Sequence, residues 1–345
     1  MQKNKNMDVL DITKFVMSFV IIMIHTDFLH QYIYPAARLA VPVFFLLSGY
    51  FAFYKLNRIE NPKEKRKTVA KIIKRYLQLY GFWFVVLFPY TLYIRKYFEA
   101  GIIRGFGRMI QSFFLGSTFG TSWYLMACVL GILIIYLLSQ RFSDKVLLIM
   151  AIPVYLFATV LLEFQGYITS NPEYNQIFQK IIAVTGVPYG NFVIALIYII
   201  IGKIASNPTS QFNKKTTYLM ATIFSFFLLC LEFFAASKGK WFVYSCDCWI
   251  FLAPTAAFLV LYLLNCEVKN SYAPYLRKIS TIVYCTHLPI CLVIAKMIQL
   301  TKIQDPMNLL KFTGTAVLSL FCAVVLLRLE KCCKYKIFRI LRYAY

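Results

Sequence analysis

Acidic residues and histidines are scarce in this chain. Only 14 Asp and Glu stand against 37 Lys and Arg, and there are 3 His in 345 residues. Two close cysteine pairs, Cys246 with Cys248 and Cys332 with Cys333, have no His at zinc-like spacing, which argues against a metal site. The other cysteines fall mainly inside apolar runs (Cys128, Cys230, Cys285, Cys291 and Cys322), where a thiol behaves as a small hydrophobe, so ten Cys do not make a disulfide framework. A low-complexity linker and a soluble module of any size are both missing, so one domain over residues 1–345 is expected. No internal repeat stands out, inverted or parallel, which counts against a transporter built from repeats. The first apolar run is too long for the h-region of a cleavable signal and has no small-residue cleavage site after it. It is expected to be a retained anchor.

What is abundant is apolar and aromatic. The composition is 60% hydrophobic, the mean hydropathy is +0.65, and 32 Phe and 25 Tyr suit lipid-facing and interfacial positions. The pattern predicts an all-α polytopic membrane protein, a bundle of about ten transmembrane helices. Spans are expected at 9–29, 36–54, 76–94, 122–140, 146–163, 183–202, 216–236, 242–264, 279–299 and 309–327. Alternate connections then divide the basic residues 25 to 11, with Lys14 inside the first span. By the positive-inside rule that places both termini in the cytoplasm. The net charge of +23 therefore reads as topology and contact with anionic lipid headgroups, not as nucleic-acid binding.

The longest cytoplasmic segment, 55–75, carries nine basic and two acidic residues, and its second half reads as an amphipathic helix. Two readings fit it, a headgroup-binding surface helix and a cationic funnel for a polyphosphate-bearing cofactor. On the other side, residues 95–121 contain five Gly and are expected to be an irregular, mobile loop with room for a short re-entrant helix.

The first span carries Asp11-x2-Lys14-x10-His25. Lys14 and His25 are eleven residues apart, which returns almost to the same helix face with about 16 Å of rise. An ionisable group at membrane depth is costly unless it faces protein or water, so the pair reads as a polar track. Lys14 also fits a snorkelling lysine balanced by Asp11 one turn away. His25 is too short to snorkel and is expected to be buried, facing the bundle. Asp27 points elsewhere on the helix and does not orient the imidazole. Arg38 opens the second span at the outer end, placed either to hold an anion near His25 or to anchor the helix at the headgroups. Pro42 and Ser48-Gly49 follow, the latter a small surface for close helix approach. His287 lies in the ninth span just before Pro289, with Tyr284 one turn earlier. Helix packing against backbone freed by the proline accounts for it as well as a site role does.

Asp11-x2-Lys14-x10-His25 followed by Arg38-x3-Pro42-x-Phe44-Phe45-x2-Ser48-Gly49 resembles the opening signature of membrane acyltransferase family 3. Ser122-Trp123-Tyr124-Leu125 is similar to the family's tryptophan motif, and the stretch from Ser280 through Tyr284 and His287 to Pro289 to its late segment. The resemblance implies a ten-helix plasma-membrane enzyme of a bacterial cell that O-acylates cell-surface glycans. The donor would be acetyl-CoA or another short acyl-CoA, and the partners a glycan acceptor, membrane lipids and glycan-assembly machinery. On this reading His25 is the base, assisted by Lys14 and Asp11. Lys14, Arg38, Lys71, Lys74 and Arg75 hold the donor, and Ser48, Trp123, Tyr284 and His287 complete the motifs.

The chain departs from the family pattern in three places. Lys14 stands where Arg is usual, Cys128 stands where many glycan-modifying members have Glu, and the basic motif survives only as Lys71, Lys74 and Arg75. The competing expectation is a transporter of a small molecule such as an amino acid, because the membrane half of the vancomycin-resistance serine racemases is similar to this family and is linked to uptake.

Overall fold

The computed structural model describes residues 7–185, 191–207, 214–238, 248–332 and 336–345, and these are helical with no strand among them. The helices run in chain order as α1 (Met7–Thr26), α2 (His30–Ala37), α3 (Ala40–Leu56), α4 (Pro62–Val86), α5 (Phe88–Arg95), α6 (Ile102–Phe114), α7 (Ser122–Leu138), α8 (Asp144–Glu163), α9 (Gln165–Ser170), α10 (Pro172–Thr185), α11 (Asn191–Ala205), α12 (Lys215–Lys238), α13 (Leu252–Leu264), α14 (Ala273–Thr301) and α15 (Leu309–Cys332). Short 3-10 turns lie at Tyr97–Ala100, Pro306–Asn308 and Lys336–Tyr343.

Among the described residues, five stretches are long and apolar enough to cross a membrane: Ile33–Leu56, α8, α12, α14 and Pro306–Cys332. A sixth is added if α4 and α5, bent by 74° at Leu87, form one span. The apolar helices α7 and α13 are shorter, as is Phe192–Ala205 within α11. Each expected span has a helix, but the boundaries shift for physical reasons. The first helix stops at Thr26, because Asp27 and Leu29 take left-handed backbone (φ 56° and 50°), which an L-residue does not continue into an α-helix. The third does not begin at 76. Asn61 accepts the Lys63 N–H (2.9 Å) and Pro62 fills the first turn, so one helix runs unbroken from the basic segment into the apolar one. Much of 95–121, expected as an irregular loop, is the 13-residue α6. Its apolar face leaves Ile102, Ile103, Phe106, Ile110 and Phe114 exposed. Cys246, Asp247 and Cys333 lie outside the described residues.

The core is built around α3, buried along most of its length and packed on α1, α4, α7, α11 and α13. Glycine makes the closest crossing possible: a Cβ on Gly49 would stand 2.6 Å from the Ile199 carbonyl oxygen, and one on Gly202 would meet the backbone of Leu46 and Tyr50. Asn57 donates to Ser206 (3.1 Å) further along the same pair, so α3 and α11 run parallel. The start of α8 meets the end of α11 through Asp144 and Lys203, so those two are antiparallel. Tyr155 of α8 donates to the Trp249 carbonyl (2.7 Å), and the Glu232 carboxylate of α12 accepts the Ile250 and Phe251 N–H groups (2.6 and 2.9 Å) ahead of α13. α1 packs along α14, and the polar residues of both helices meet in that seam.

Candidate active site

A cavity of ≈ 670 Å³ opens where α1 begins, walled by α1, α3, α4, α7 and α14. Its basic lining is Lys14, Lys55, Arg75, Arg277 and Lys278, and its inner hydroxyls are Ser48, Tyr76, Tyr124 and Tyr284. Spacing explains the α14 wall. Arg277, Thr281 and Tyr284 recur at i, i+4 and i+7, which puts all three on one helix face.

Each expected site residue has a definite place. Asp11 does not pair with Lys14. Its carboxylate, 4% exposed, meets the Arg277 guanidinium at 3.4 Å. Lys14 makes no ion pair among the described residues and rests its ammonium over the Phe51 ring, 4.6 Å from the centroid. Ser48 and Tyr124 share a hydrogen bond of 2.6 Å, and the Tyr124 hydroxyl also reaches the Phe44 carbonyl (3.2 Å). Cys128 is fully buried behind this wall, where Ser48, Tyr76 and Tyr124 surround its thiol and the charge of Lys14 reaches it. Trp123 does not line the cavity. It packs edge-on against Phe45, centroids 5.7 Å apart, while Ser122 beside it accepts the Thr118 N–H (2.8 Å) and fixes the turn into α7.

Of the five cations expected to hold a donor, Lys14 and Arg75 line the cavity, whereas Lys71 and Lys74 are exposed on α4 and are not part of its lining. The basic wall is completed from α14 and α3, by residues that sequence reasoning missed. Arg38 also lies away from the cavity, at the opposite end of the bundle, with its guanidinium over the Tyr34 ring (4.5 Å). The mouth is crossed by the chain at 344–345. The Trp83 indole donates to the Ala344 carbonyl (3.0 Å), Arg75 to the Tyr345 carbonyl (3.1 Å) and Lys278 to the Tyr345 hydroxyl (3.0 Å). That hydroxyl donates to Glu330 (2.7 Å). Burial first, and then the Glu330 carboxylate, push the Tyr345 phenol above its ordinary range, so it stays a donor.

The two membrane histidines meet at the far end of the seam between α1 and α14. Their ring centroids are 5.2 Å apart and tilted by 36°. His287 is fully buried, with Nδ1 3.2 Å from the Val283 carbonyl oxygen. Pro289 leaves a different carbonyl, that of Cys285 four residues back, without its helical donor, so His287 does not patch the proline break. His25, expected to be buried, faces the bundle yet keeps its ring exposed, because α1 ends one residue later and the chain turns away. Cys291 donates to the His25 carbonyl (3.6 Å), and Arg38 and Lys311 are the cations whose fields reach the ring.

A file of rings connects the cavity to this pair. Tyr124 lies 5.3 Å from Tyr284, Tyr284 6.0 Å from His287, and His287 5.2 Å from His25, centroid to centroid. Tyr284 is the inner wall of the cavity, and its hydroxyl donates to the Thr121 carbonyl (2.9 Å). The file of rings thus runs from the cavity wall at Tyr124 to the end of α1 at His25.

The sequence model of acyltransferase family 3, described as an acyltransferase domain, matches residues 7–328. The chain belongs to that family, and its apolar helices mark it as a membrane protein. Among curated proteins it is similar to an amino-acid racemase of Enterococcus faecalis, 22% identical over 354 residues, covering 97% of this chain and 47% of the relative. A serine/alanine racemase of Enterococcus gallinarum is 28% identical over 163 residues, covering 45% of this chain and 22% of that protein. The chain thus spans less than half the length of these relatives. No solved structure matches it.

Proposed function

We propose that this protein is an integral-membrane O-acetyltransferase that moves an acyl group, acetyl, from acyl-CoA to a hydroxyl of a cell-envelope or exported polysaccharide or its lipid-linked precursor. The observation that carries the reading is the file Tyr124, Tyr284, His287, His25 leading out of a cavity ringed by cations. Lys14, Lys55, Arg75, Arg277 and Lys278 suit a ligand with several phosphates. Movement of the Tyr284 ring would open the way to the imidazole. His25 then takes the proton of the acceptor hydroxyl as its oxygen bonds to the thioester carbon. The carbon–sulfur bond breaks, and the leaving thiolate takes up the proton.

The plasma membrane of a bacterial cell is the proposed location, with ten spans and both termini cytoplasmic. The parallel course of α3 and α11, the antiparallel course of α8 and α11, and the pairing of Asp11 with Arg277 at one end of α1 and α14 and of His25 with His287 at the other all support alternating passes. Reporter fusions after Tyr345 and within α6 are expected on opposite sides of the membrane. Finding both on one side would reject the count.

The test of function is His25→Ala, expressed at the wild-type level, with glycan acetylation read by mass spectrometry. General-base assistance is typically worth about 10² to 10⁴ in rate, so acetylation should fall by about that factor while membrane insertion is unimpaired. Normal acetylation would remove His25 from the mechanism, and acetylation unchanged when the whole protein is absent would reject the acyltransferase reading.

A further inference from the structure

A base that works on an alcohol needs its imidazole fixed in one tautomer, with the lone pair toward the hydroxyl. An acceptor on the other ring nitrogen does this. Carboxylates fail that role here. Asp27 sits in the left-handed turn after α1 and pairs with Lys311 at 3.6 Å. Asp11 pairs with Arg277 about 21 Å back along α1. Arg38 and Lys311 carry no acceptor at all.

His287 has what is missing. A carbonyl oxygen only accepts, so the contact with Val283 fixes the proton on Nδ1 and leaves Nε2 with its lone pair. That nitrogen is buried and has no partner among the described residues. A buried acceptor without a donor is destabilising, and the neighbouring ring is that of His25. From these contacts we infer that His287 is the positioning residue of His25, accepting a ring N–H of His25 at Nε2 so that the other nitrogen of His25 is held as the base.

The inference rests on reading His25 as the base. No hydrogen bond joins the rings at the observed tilt. His287 is packed on all sides and tied to Val283, whereas His25 is exposed at a helix end, so His25 is the ring free to turn about its broad χ2 torsion. The dyad is then a relay of fixed polarity: Val283 carbonyl, His287, His25, acceptor hydroxyl.

Two amide substitutions separate positioning from packing. In His287→Asn the amide reaches the place of Nδ1 and keeps the Val283 contact but has no acceptor at the place of Nε2. In His287→Gln the amide reaches the place of Nε2 and keeps an acceptor there. Both are made in the full chain in lipid nanodiscs, with size-exclusion elution as the folding control. Two readouts are taken: kcat and KM for acyl-CoA, and the pH midpoint for carbethoxylation of His25 by diethyl pyrocarbonate, followed by peptide mass spectrometry. Groups facing His25 are His287 and Cys291 from α14, Lys311 from α15, Arg38 at the start of α3 and Asp27 on its own strand of chain, and only His287 is changed.

His287→Asn should lose about tenfold or more in kcat with KM within about twofold. Its His25 midpoint should fall by about half a pH unit or more, because an acceptor on the ring favours its protonated form. His287→Gln should stay near wild type in both. If Asn and Gln are impaired alike with an unmoved midpoint, or if Asn matches wild type, the inference is overturned. Should wild type transfer no acyl group, the enzymatic reading fails, while the midpoints still decide whether the two histidines are paired.

Discussion

Asp11 on α1 and Arg277 on α14 form an ion pair at 3.4 Å across the seam that also holds both membrane histidines. The carboxylate is almost wholly buried and the guanidinium is half exposed. The pair fixes the two helices at one end, so the register of His25 against His287 at the other end depends on it. Arg277→Met would leave a buried carboxylate without its partner. Full burial would make that loss severe, but the exposure of Arg277 discounts it to about 1 to 3 kcal/mol. Thermal unfolding in detergent should show the loss, and Asp11→Asn with Arg277→Met should recover part of it. A double variant no more stable than Arg277→Met would mean that the pair contributes nothing as a pair.

Because Arg277 takes Asp11, Lys14 keeps its charge for the cavity. Lys14→Arg should retain acyl transfer, since a guanidinium also stacks over Phe51, whereas Lys14→Ala should lose about tenfold or more. Equal activity of the two variants would show that the cation is not used.

Ser48 and Tyr124 hold each other at 2.6 Å in the inner wall. Ser48→Ala or Tyr124→Phe alone strands a buried hydroxyl and should cost about 1 to 3 kcal/mol, while the double substitution removes both partners and should cost less than the sum. A double-mutant cycle by chemical denaturation measures this. Strict additivity would show that the two hydroxyls do not interact.

Much of this site was legible before any coordinates. The eleven-residue spacing of Lys14 and His25 predicts a common face; Lys14 lies over Phe51 of α3 beside the cavity and His25 lies against His287 of α14. Periodicity could not show which residue opposes which. Asp11 has two cations in reach, and only the packing of the first helix on α14 decides between Lys14 and Arg277. The sequence of 55–75 shows how many cations it carries but not which way each one faces. On a helix, Lys71, Lys74 and Arg75 share one face within about 100° of arc, and only the edge that Arg75 occupies reaches the cavity. Tyr76 carried no signal beyond being one of 25 Tyr in an aromatic-rich chain. Arg277, Thr281 and Tyr284 did carry one, in their i, i+4, i+7 spacing. The end of α1 at Thr26 was hidden because Asp27 and Leu29 are ordinary residues in left-handed backbone, with no Gly to announce the turn.

Donor capture should follow the cavity lining and not the basic run. Arg75 and Lys278 both reach the mouth, and both are engaged there by Tyr345. Lys71 and Lys74 lie about one turn or less from Arg75 yet do not line the cavity. If the lining cations hold the phosphates of acyl-CoA, Arg75→Ala with Lys278→Ala should raise KM for the donor about tenfold or more with a smaller change in kcat. The effect should weaken as ionic strength rises, because the mouth is open to screening. Lys71→Ala with Lys74→Ala removes the same charge from the same end of the molecule and serves as the control. It should leave the donor KM within about twofold while reducing binding to vesicles rich in anionic lipid. Steady-state kinetics across a donor titration at two salt concentrations, with vesicle flotation alongside, distinguishes the two pairs. Equal effects of both pairs on KM would mean that long-range attraction by the basic segment, and not contact in the cavity, brings the donor in.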